Sequence, residues 1–403
     1  MKPQYIALNS KQYWKTNIAL FLGSFVTFAL LYCVQPLIPV FSKEFEVSPA
    51  TSSLSVSLAT AGLAVSMIVM SWLSDKKGRK LIMTIALLGS SFFTCLSVFS
   101  TNFYFMLFVR TLSGVMLAGF PAIAMAYINE EIDPKHVGLV MGIYVSGNSV
   151  GGLLGRIIVS AITDFFSWHI AIGFLGIVSF LISIWFWFNL PNSNNFVVKN
   201  QRFGDMVCSL KDFLRNKRLI SLYSVGFLIM GAFVSLYNYI SYPLMAPPYN
   251  LSQTVVGCIF FVYLIGTFSS TFMGTMADKH GSGVILGFAI ACMLAGGLLT
   301  LSVSIYSKGI GLALVTFGFF GGHSVTSSWV AKSAKTNRAQ ASSLYLLFYY
   351  LGSSVLGAFG GKFLLWQGWN GVVLLMVIAL CLAMVIVLRL LLVDRQVERV
   401  VGS

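Results

Sequence analysis

The stretch that decides the fold is Ser71-Trp72-Leu73-Ser74-Asp75-Lys76-Lys77-Gly78-Arg79-Lys80, a polar turn between two long apolar runs. A related turn, Ala277-Asp278-Lys279-His280-Gly281, follows 203 residues later. In both copies an acidic residue at the end of an apolar run is followed by a cation and a glycine. The glycine permits a tight turn, which brings the cations beside the carboxylate.

Two further pairs of segments repeat at nearly the same offset. Tyr144-x-x-Gly147-x-Ser149-Val150 matches Tyr349-x-x-Gly352-x-Ser354-Val355, 205 residues apart, and Trp168 matches Trp369, 201 residues apart. Three matches at about half the chain length indicate two homologous halves. In membrane proteins, repeated halves with a site near the bilayer midplane are the architecture of many secondary transporters.

The composition excludes an ordinary soluble domain. Of the 403 residues, 57% are hydrophobic and only 9% are charged, whereas soluble domains carry roughly 25% charged residues. The 26 Lys and Arg outnumber the 12 Asp and Glu, which gives a net charge of +14. In a soluble chain this excess would suggest a nucleic-acid partner. In a membrane chain it reflects cations retained in cytoplasmic loops.

Apolar runs long enough to cross a bilayer occur twelve times. A crossing helix needs about 20 mostly apolar residues, and the first run exceeds the roughly 7–15 apolar residues of a signal peptide. We therefore expect the first run to be retained as a span. The predicted spans are 16–40, 52–73, 81–100, 104–127, 137–160, 168–190, 219–242, 254–276, 283–305, 309–331, 340–361 and 367–393.

The connection 191–218 opens with Pro191-Asn192-Ser193-Asn194-Asn195 and divides the spans six and six. We predict an N-terminal six-helix bundle over 1–190, a cytoplasmic linker over 191–218 and a C-terminal six-helix bundle over 219–403. Of the 26 cations, 21 lie in segments on one side, three lie on the other, and Arg110 and Arg156 lie within spans. Because cytoplasmic loops are rich in Lys and Arg, both termini are expected in the cytoplasm of a bacterial inner membrane, and nucleic acid is not expected as a partner.

Residues 71–80 resemble the loop 2–3 signature of the major facilitator superfamily, Gly-x-x-x-Asp-Arg/Lys-x-Gly-Arg-Arg/Lys, with Ser71 in place of the first glycine. In the second copy Ser282 stands where the arginine would be. The resemblance implies an all-α membrane protein with 12 transmembrane helices in the major facilitator fold, two pseudo-symmetric six-helix bundles. It also implies a cytoplasmic latch between the halves, formed by Asp75, Gly78, Arg79, Asp278, Lys279 and Gly281. The alternative is a plain loop whose cations only set the orientation.

Span 4 contains Leu107-x-x-Arg110-x-x-x-Gly114, similar to the Arg-x-x-x-Gly signature of the family. A charge in hydrocarbon is costly unless it finds a partner or water, so an intramembrane arginine is a functional candidate. The alternative is that backbone carbonyls and neighbouring side chains satisfy Arg110 structurally.

Span 5 contains Gly138-x8-Gly147-x3-Gly151-Gly152-x2-Gly155-Arg156. Its spacing follows the antiporter signature Gly-x8-Gly-x3-Gly-Pro-x2-Gly-Gly, with Gly152 replacing the proline and Arg156 the last glycine. Glycines on one helix face let a neighbouring helix approach closely, and we expect that packing role for them. Arg156 either enters the cavity or extends to water at the outer end of the span.

Span 1 ends with Tyr32-x-x-Gln35-Pro36-Leu37-Ile38-Pro39, similar to the Pro-x-x-Pro motif of twelve-span drug:proton antiporters. Prolines at a helix end free backbone carbonyls, and Gln35 is placed to present its amide to a cavity. Tyr32 is a further candidate for substrate binding or coupling. The alternative is a simple helix terminator.

Polar residues near the middle of other spans complete the candidate site. His323, in Gly321-Gly322-His323-Ser324, is the one histidine predicted deep within a span, and an imidazole exchanges a proton near pH ~6.5. The alternative is a hydrogen-bonded core histidine. Three further candidates for substrate binding are Asn148, Tyr237 and Asn238.

All twelve carboxylates lie in loops or at span ends. Proton coupling would therefore have to use His323, Asp75 or the substrate itself. A cavity that contains Arg110, and Arg156 if it faces inward, favours an anionic or carboxylate-bearing substrate.

The sequence contains neither Gly-x4-Gly-Lys-Ser/Thr nor His-Glu-x-x-His, so no ATP use, enzyme activity, metal or cofactor is indicated. We expect a monomeric secondary transporter that resembles the drug:proton antiporter and sugar-efflux branch. Its expected partners are the lipid bilayer, a small exported molecule and protons. Two alternatives remain open: import or exchange of a small organic anion or metabolite by the same fold, and a non-transporting membrane receptor.

Overall fold

The computed structural model describes residues 5–198, 203–334 and 338–401. Within these ranges the regular structure is helical, with one isolated bridge between Ile6 and Ile132. Two one-turn 3₁₀ segments occur at Gln35–Leu37 and Ile259–Val262. The α-helices are α1 Lys11–Tyr32, α2 Ile38–Glu44, α3 Pro49–Lys77, α4 Arg79–Ser97, α5 Phe103–Leu117, α6 Pro121–Glu131, α7 Val137–Phe165, α8 Trp168–Asn189, α9 Phe203–Arg215, α10 Lys217–Tyr239, α11 Ser241–Met245, α12 Gln253–Cys258, α13 Tyr263–His280, α14 Ser282–Leu299, α15 Ile305–Ser333 and α16 Arg338–Val401.

Eleven helical stretches in the described ranges are long and apolar enough to cross a membrane. The last of them, Gln340–Val393, has 54 residues. It is interrupted at Gln367 (φ −136°, ψ 21°) and Gly368 (φ 59°, ψ −144°), which are not helical. Because about 20 residues suffice for one crossing, this stretch is long enough for two. The prediction of an all-α, multi-pass membrane chain is therefore confirmed.

The chain divides into two compact units, each assembled from three segments. The short segments Val47–Ser53 and Ser252–Phe260 each belong to a different unit from the residues that flank them. The first unit comprises Met1–Glu46, Leu54–Phe203 and Ser252–Phe260, and the second comprises Val47–Ser53, Gly204–Leu251 and Phe261–Ser403.

In the first unit, α1 and α7 approach closely along a row of glycines. A Cβ atom added to any of these glycines would lie within 3.0 Å of α1 backbone atoms, closer than real Cβ atoms come. The spacing of four residues on both helices keeps the contacts on one face. The pairs are Gly147 with Phe21, Gly151 with Phe25, and Gly155 with Ala29.

In the second unit, α10 and α16 repeat this arrangement. The α16 positions follow the α7 positions by 205 residues, and the α10 positions follow the α1 positions by 206. At the middle contact the glycine lies on α10 instead of α16, and the leucine of α16 fills the space above it. The pairs are Gly352 with Phe227, Leu356 with Gly231, and Gly360 with Ser235.

Glycines and prolines set the helix boundaries near the candidate residues. The helices α4 and α14 begin after Gly78 (φ 100°) and Gly281 (φ 89°), a backbone region that favours glycine. The helix α6 begins at Pro121, a position where the missing N–H costs nothing. Pro36 lies in the 3₁₀ turn after α1 and has no N–H to offer the end of that helix.

Candidate functional site

The Arg110 side chain, on α5, is buried among backbone carbonyls and is only 1% exposed. Its Nη1 and Nη2 donate to the carbonyls of Leu30 and Leu31 at 2.9 and 2.8 Å, and its Nε donates to that of Ser55 at 3.3 Å. Leu30 and Leu31 lie in the last turn of α1, where carbonyls lack partners within the helix. The partial negative charge of a helix C-terminus also favours a cation there. The contacts of Arg110 are therefore those of the structural alternative, in which backbone carbonyls satisfy the charge of this residue.

The Arg156 side chain, on α7, joins three other side chains, which we call the Arg156 cluster: Tyr32, Gln35, Arg156 and Phe260. Arg156 is 3% exposed, and its Nε donates to Oε1 of Gln35 at 2.8 Å. Its Nη1 donates to the carbonyl of Gly152. The guanidinium carbon lies 4.6 Å from the ring centroids of both Tyr32 and Phe260, within the range of cation–π attraction. The structure thus brings together three of the residues predicted from the sequence.

Phe260 was not predicted as a site residue, and the helix α12 positions it. The Gln253 side chain donates from Nε2 to the carbonyl of Pro36 at 2.8 Å. The Thr254 backbone N–H and hydroxyl donate to Oδ2 of Asp164 at 3.2 and 2.7 Å. These bonds fasten α12 to the helices that carry the other members of the Arg156 cluster. The 3₁₀ turn after α12 then places the Phe260 ring against the guanidinium.

Asn148 lies eight residues before Arg156 on α7, a separation of about two helical turns. The Ser24 hydroxyl of α1 donates to Oδ1 of Asn148, and it lies 2.9 Å from the carbonyl of Tyr144. Asn148 is therefore part of the α1–α7 contact in the first unit and lies outside the Arg156 cluster.

His323, on α15 of the second unit, is half-buried among aromatic rings. Its Nδ1 lies 2.8 Å from the hydroxyl oxygen of Tyr345, and its ring centroid is 4.5 Å from that of Tyr349. The two tyrosines are four residues apart on α16 and so share one face. Tyr345 is fully buried because Gly226 of α10 leaves room for its ring. A tyrosine hydroxyl can donate or accept, so it suits either imidazole tautomer.

Tyr237 and Asn238, on α10, are both fully buried in the second unit. The Tyr237 hydroxyl lies 2.6 Å from the hydroxyl of Thr316. The Tyr237 ring is 4.7 Å from Phe233, which stacks on Phe319 at 3.7 Å. Phe319 in turn stacks on the imidazole at 6.3 Å. A continuous row of aromatic rings therefore connects Tyr237 with the histidine.

The first glycine turn, residues 71–80, contains a buried ionic network around Arg79, which is 3% exposed. Its Nη1 lies 2.6 Å from Oδ1 of Asp75 and donates to Oγ of Ser74 at 3.1 Å. Its Nε and Nη2 donate to the two carboxylate oxygens of Glu130 at 3.1 and 2.7 Å, the forked geometry of a strong arginine–carboxylate pair. The guanidinium also lies 5.2 Å from the Phe196 ring. Glu130, at the end of α6, was not predicted as part of this network.

The second glycine turn, residues 277–281, contains an exposed ion pair instead. Asp278 pairs with Lys332 of α15 at 2.7 Å, with the two side chains 67% and 57% exposed. Lys279 is exposed as well. An exposed pair of this kind contributes little stability. With Ser282 in the position of the arginine, the cation for Asp278 comes from the end of a different helix.

Two buried charges at span ends were not predicted. Glu131 is fully buried and accepts the backbone N–H groups of Asn194 and Asn195 at 3.0 and 2.8 Å. Lys308, which the charge count treats as an outer-loop cation, is 5% exposed, and its Nζ donates to the carbonyl of Thr300 at 2.6 Å. Hydropathy places both at span ends, and only the folded loops show that they are enclosed.

Repeated apolar helices, two glycine turns with positive φ and arginines buried within the spans are the features of a membrane transporter of the major facilitator type. The model of the Major Facilitator Superfamily matches residues 20–331 and 238–402. The chain belongs to this family of membrane transporters, which are not enzymes.

Relatives cover nearly the whole chain. It is 47% identical to the uncharacterized MFS-type transporter YybF of Bacillus subtilis (strain 168), over 92% of this chain and 91% of that protein. It is 43% identical to the inner membrane transport protein YnfM of Escherichia coli (strain K12), over 96% and 93%. A solved structure of a POT family transporter in complex with 5-aminolevulinic acid aligns with a TM-score of 0.77 at 14% identity, over 98% of both chains. At that identity the structural match supports the fold alone.

Proposed function

We propose that the chain is a proton-coupled exporter of small organic anions that works by alternating access. It would lie in a bacterial inner membrane with both termini in the cytoplasm. The observation that carries the proposal is the Arg156 cluster, a buried guanidinium held by a neutral amide and two aromatic rings. A guanidinium offers planar, parallel donors that match the two oxygens of a carboxylate. The side chains seen against it, an amide and two aromatic rings, carry no charge of their own, and the guanidinium would attract an incoming anion.

Arg156 suits this role better than the other span arginine. The three kinds of guanidinium nitrogen of Arg110 already donate to carbonyls at a helix end. In contrast, the Arg156 contacts include one to a side chain, the amide of Gln35, whose place a ligand would take. A carboxylate that takes this place would gain charge-assisted hydrogen bonds, each worth about 1.5–3 kcal/mol. A neutral amide analogue would gain only about half that strength.

Export is supported by two motifs that resemble those of antiporters. One is the glycine spacing of α7, and the other is the proline pair that follows Gln35. Exchange for protons would draw on the proton gradient and on the membrane potential, which supplies about 2.3 kcal/mol per charge per 100 mV. His323 is the proposed proton carrier because its imidazole is hydrogen-bonded to Tyr345 and half-buried.

Ligand binding tests the anion preference directly. Purified protein would be screened by thermal shift against pairs of small molecules that differ only in a carboxylate or its primary amide. We expect carboxylates to raise the melting temperature at lower concentration than their amides. Arg156→Gln should weaken carboxylate binding at least ten-fold, whereas Arg389→Gln, at an exposed arginine of α16, should not. Equal binding of amides, or of matched cations, would overturn the anion preference.

Transport in proteoliposomes tests direction and coupling. With the best ligand from the screen, an imposed pH gradient should drive ligand movement opposite to proton movement. Movement in the same direction as protons would establish import, the alternative with the same fold. His323→Ala should abolish the response to the gradient while leaving counterflow of the ligand. Wild-type, gradient-driven flux in His323→Ala would remove the proposed role of this histidine.

A further inference from the structure

We propose that the first unit contains a binding site for the phosphate of an anionic membrane lipid, formed by Lys11, Lys15 and Lys80. These three side chains line a cavity of about 520 Å³ at the ends of three helices, a size typical of small-molecule sites. The other lining residues are Gln12, Phe188, Asn189, Leu190, Pro191 and Asn192. This site is separate from the Arg156 cluster and from the proposed transport of anions.

The charged residues that line the cavity are all lysines. Lys11 and Lys15 are one helical turn apart on α1 and share a face, and Lys80 comes from the first turn of α4. None of the lining residues is acidic. Within the described ranges, none of the three lysines forms an ion pair with a carboxylate. The N-terminus of α1, beside Lys11, adds a partial positive charge. Asn189 and Asn192 also line the cavity, and the amide nitrogen of Asn189 donates to the carbonyl of Trp185 at 2.9 Å.

The surroundings of the cavity fit a lipid better than a soluble anion. Phe188 lines the cavity and is 75% exposed. Trp187 and Trp14, which adjoin the lining residues Phe188 and Lys15 in the sequence, are 39% and 54% exposed. The Lys80 ammonium lies 5.2 Å from the Trp187 ring. Exposed tryptophans are enriched at the depth of the lipid headgroups. An occupant with a phosphate at the lysines and acyl chains along these aromatic side chains would satisfy both parts of the surface.

In basic clusters next to transmembrane helices, each lysine raises the affinity for an anionic lipid roughly five-fold. Three lysines together would then account for a preference of roughly 100-fold for an anionic lipid over a zwitterionic one. Phosphatidylglycerol is the probe that we choose, with phosphatidylcholine as its zwitterionic counterpart.

Native mass spectrometry of the detergent-purified chain measures this preference by titration with each lipid. We expect wild-type protein to bind the first phosphatidylglycerol at least ten-fold more tightly than phosphatidylcholine. A triple variant, Lys11→Gln with Lys15→Gln and Lys80→Gln, should lose this preference, and the corresponding triple arginine variant should keep it. The matched control replaces three exposed lysines outside the cavity by glutamine: Lys76, Lys135 and Lys217.

Several outcomes would overturn the proposal. An unchanged preference in the cavity variant, or an equal loss in the control variant, would show that the cavity is not the site. Displacement of phosphatidylglycerol by millimolar inorganic phosphate would assign the site to a free anion instead of a lipid. As a folding control, the two triple glutamine variants should have equal melting temperatures. If the triple glutamine variant does not fold, the single variant Lys15→Gln should reduce the preference roughly five-fold, and an unchanged preference in it would overturn the proposal.

Discussion

Replacing Arg110 by leucine tests whether this arginine closes a helix end. Leucine keeps the site apolar but leaves three carbonyl oxygens, those of Leu30, Leu31 and Ser55, without their donor. Each hydrogen bond from a charged donor is worth about 1.5–3 kcal/mol. The sum is an upper bound, because the substitution also removes the cost of burying a cation. We expect a net loss of about 3 kcal/mol in the free energy of unfolding.

The assay is the melting temperature of purified protein in detergent. At about 2 °C per kcal/mol, the value for a unit of roughly 200 residues, Arg110→Leu should lower it by about 6 °C. The melting temperature of Arg110→Lys should fall between those of the wild type and Arg110→Leu, because one ammonium group cannot reach three separated carbonyls. Arg389→Leu, at an exposed arginine, is the control and should change the melting temperature by less than about 1 °C. A wild-type melting temperature in Arg110→Leu, together with lost transport, would refute the structural role.

Two further predictions concern packing and charge. Gly352→Ala should lower the free energy of unfolding by about 1–3 kcal/mol, because the added methyl group meets the carbonyl of Phe227. Gly309→Ala, where an added Cβ would have nothing within 4 Å, should leave this free energy unchanged or raise it. Equal melting temperatures of these two alanine variants would contradict the close approach of α10 and α16. Glu130→Gln should lower stability more than Asp278→Asn, because the first breaks a forked pair with a buried arginine and the second an exposed pair worth less than about 1 kcal/mol. The reverse order in denaturant unfolding would show that exposure does not decide their strength.

Hydropathy and the internal repeat predicted the helical membrane fold, because both are properties of contiguous sequence. Span 4 shows where this information ends. The predicted span at 104–127 agrees with a single membrane-length stretch at Phe103–Glu131, but within it α5 ends at Leu117 and α6 begins at Pro121. Proline interrupts the helical hydrogen bonds, so this break was visible in the sequence. The partners of Arg110 were not, since they lie 55 to 80 residues away and are chosen by helix packing.

The sequence also predicted the residues of the candidate site better than the contacts between them. The sequence singled out Tyr32, Gln35 and Arg156 as polar or aromatic residues near proline and glycine motifs, but it offered no reason to place them in contact. Their meeting depends on the register of α1 against α7. Phe260 carried no signal of its own, because it is one of 34 phenylalanines and reaches the guanidinium only through the way α12 folds back onto the first unit.

The glycine contacts of the two units have a consequence for sequence variation. At the middle contact the small residue is Gly151 of α7 in one unit and Gly231 of α10 in the other. A Cβ added to Gly151 would meet the backbone of Phe25, whereas a Cβ added to Gly231 would meet the side chain of Leu356. Close approach of two helices requires one small residue at each crossing, on either helix. In the second unit the constraint therefore acts on the pair, and a larger residue at Gly231 should be tolerated better when Leu356 is replaced by a smaller one. In the first unit it acts on Gly151 alone, because the backbone at position 25 is the same for every residue. Positions 231 and 356 should covary in size, whereas position 151 should stay small.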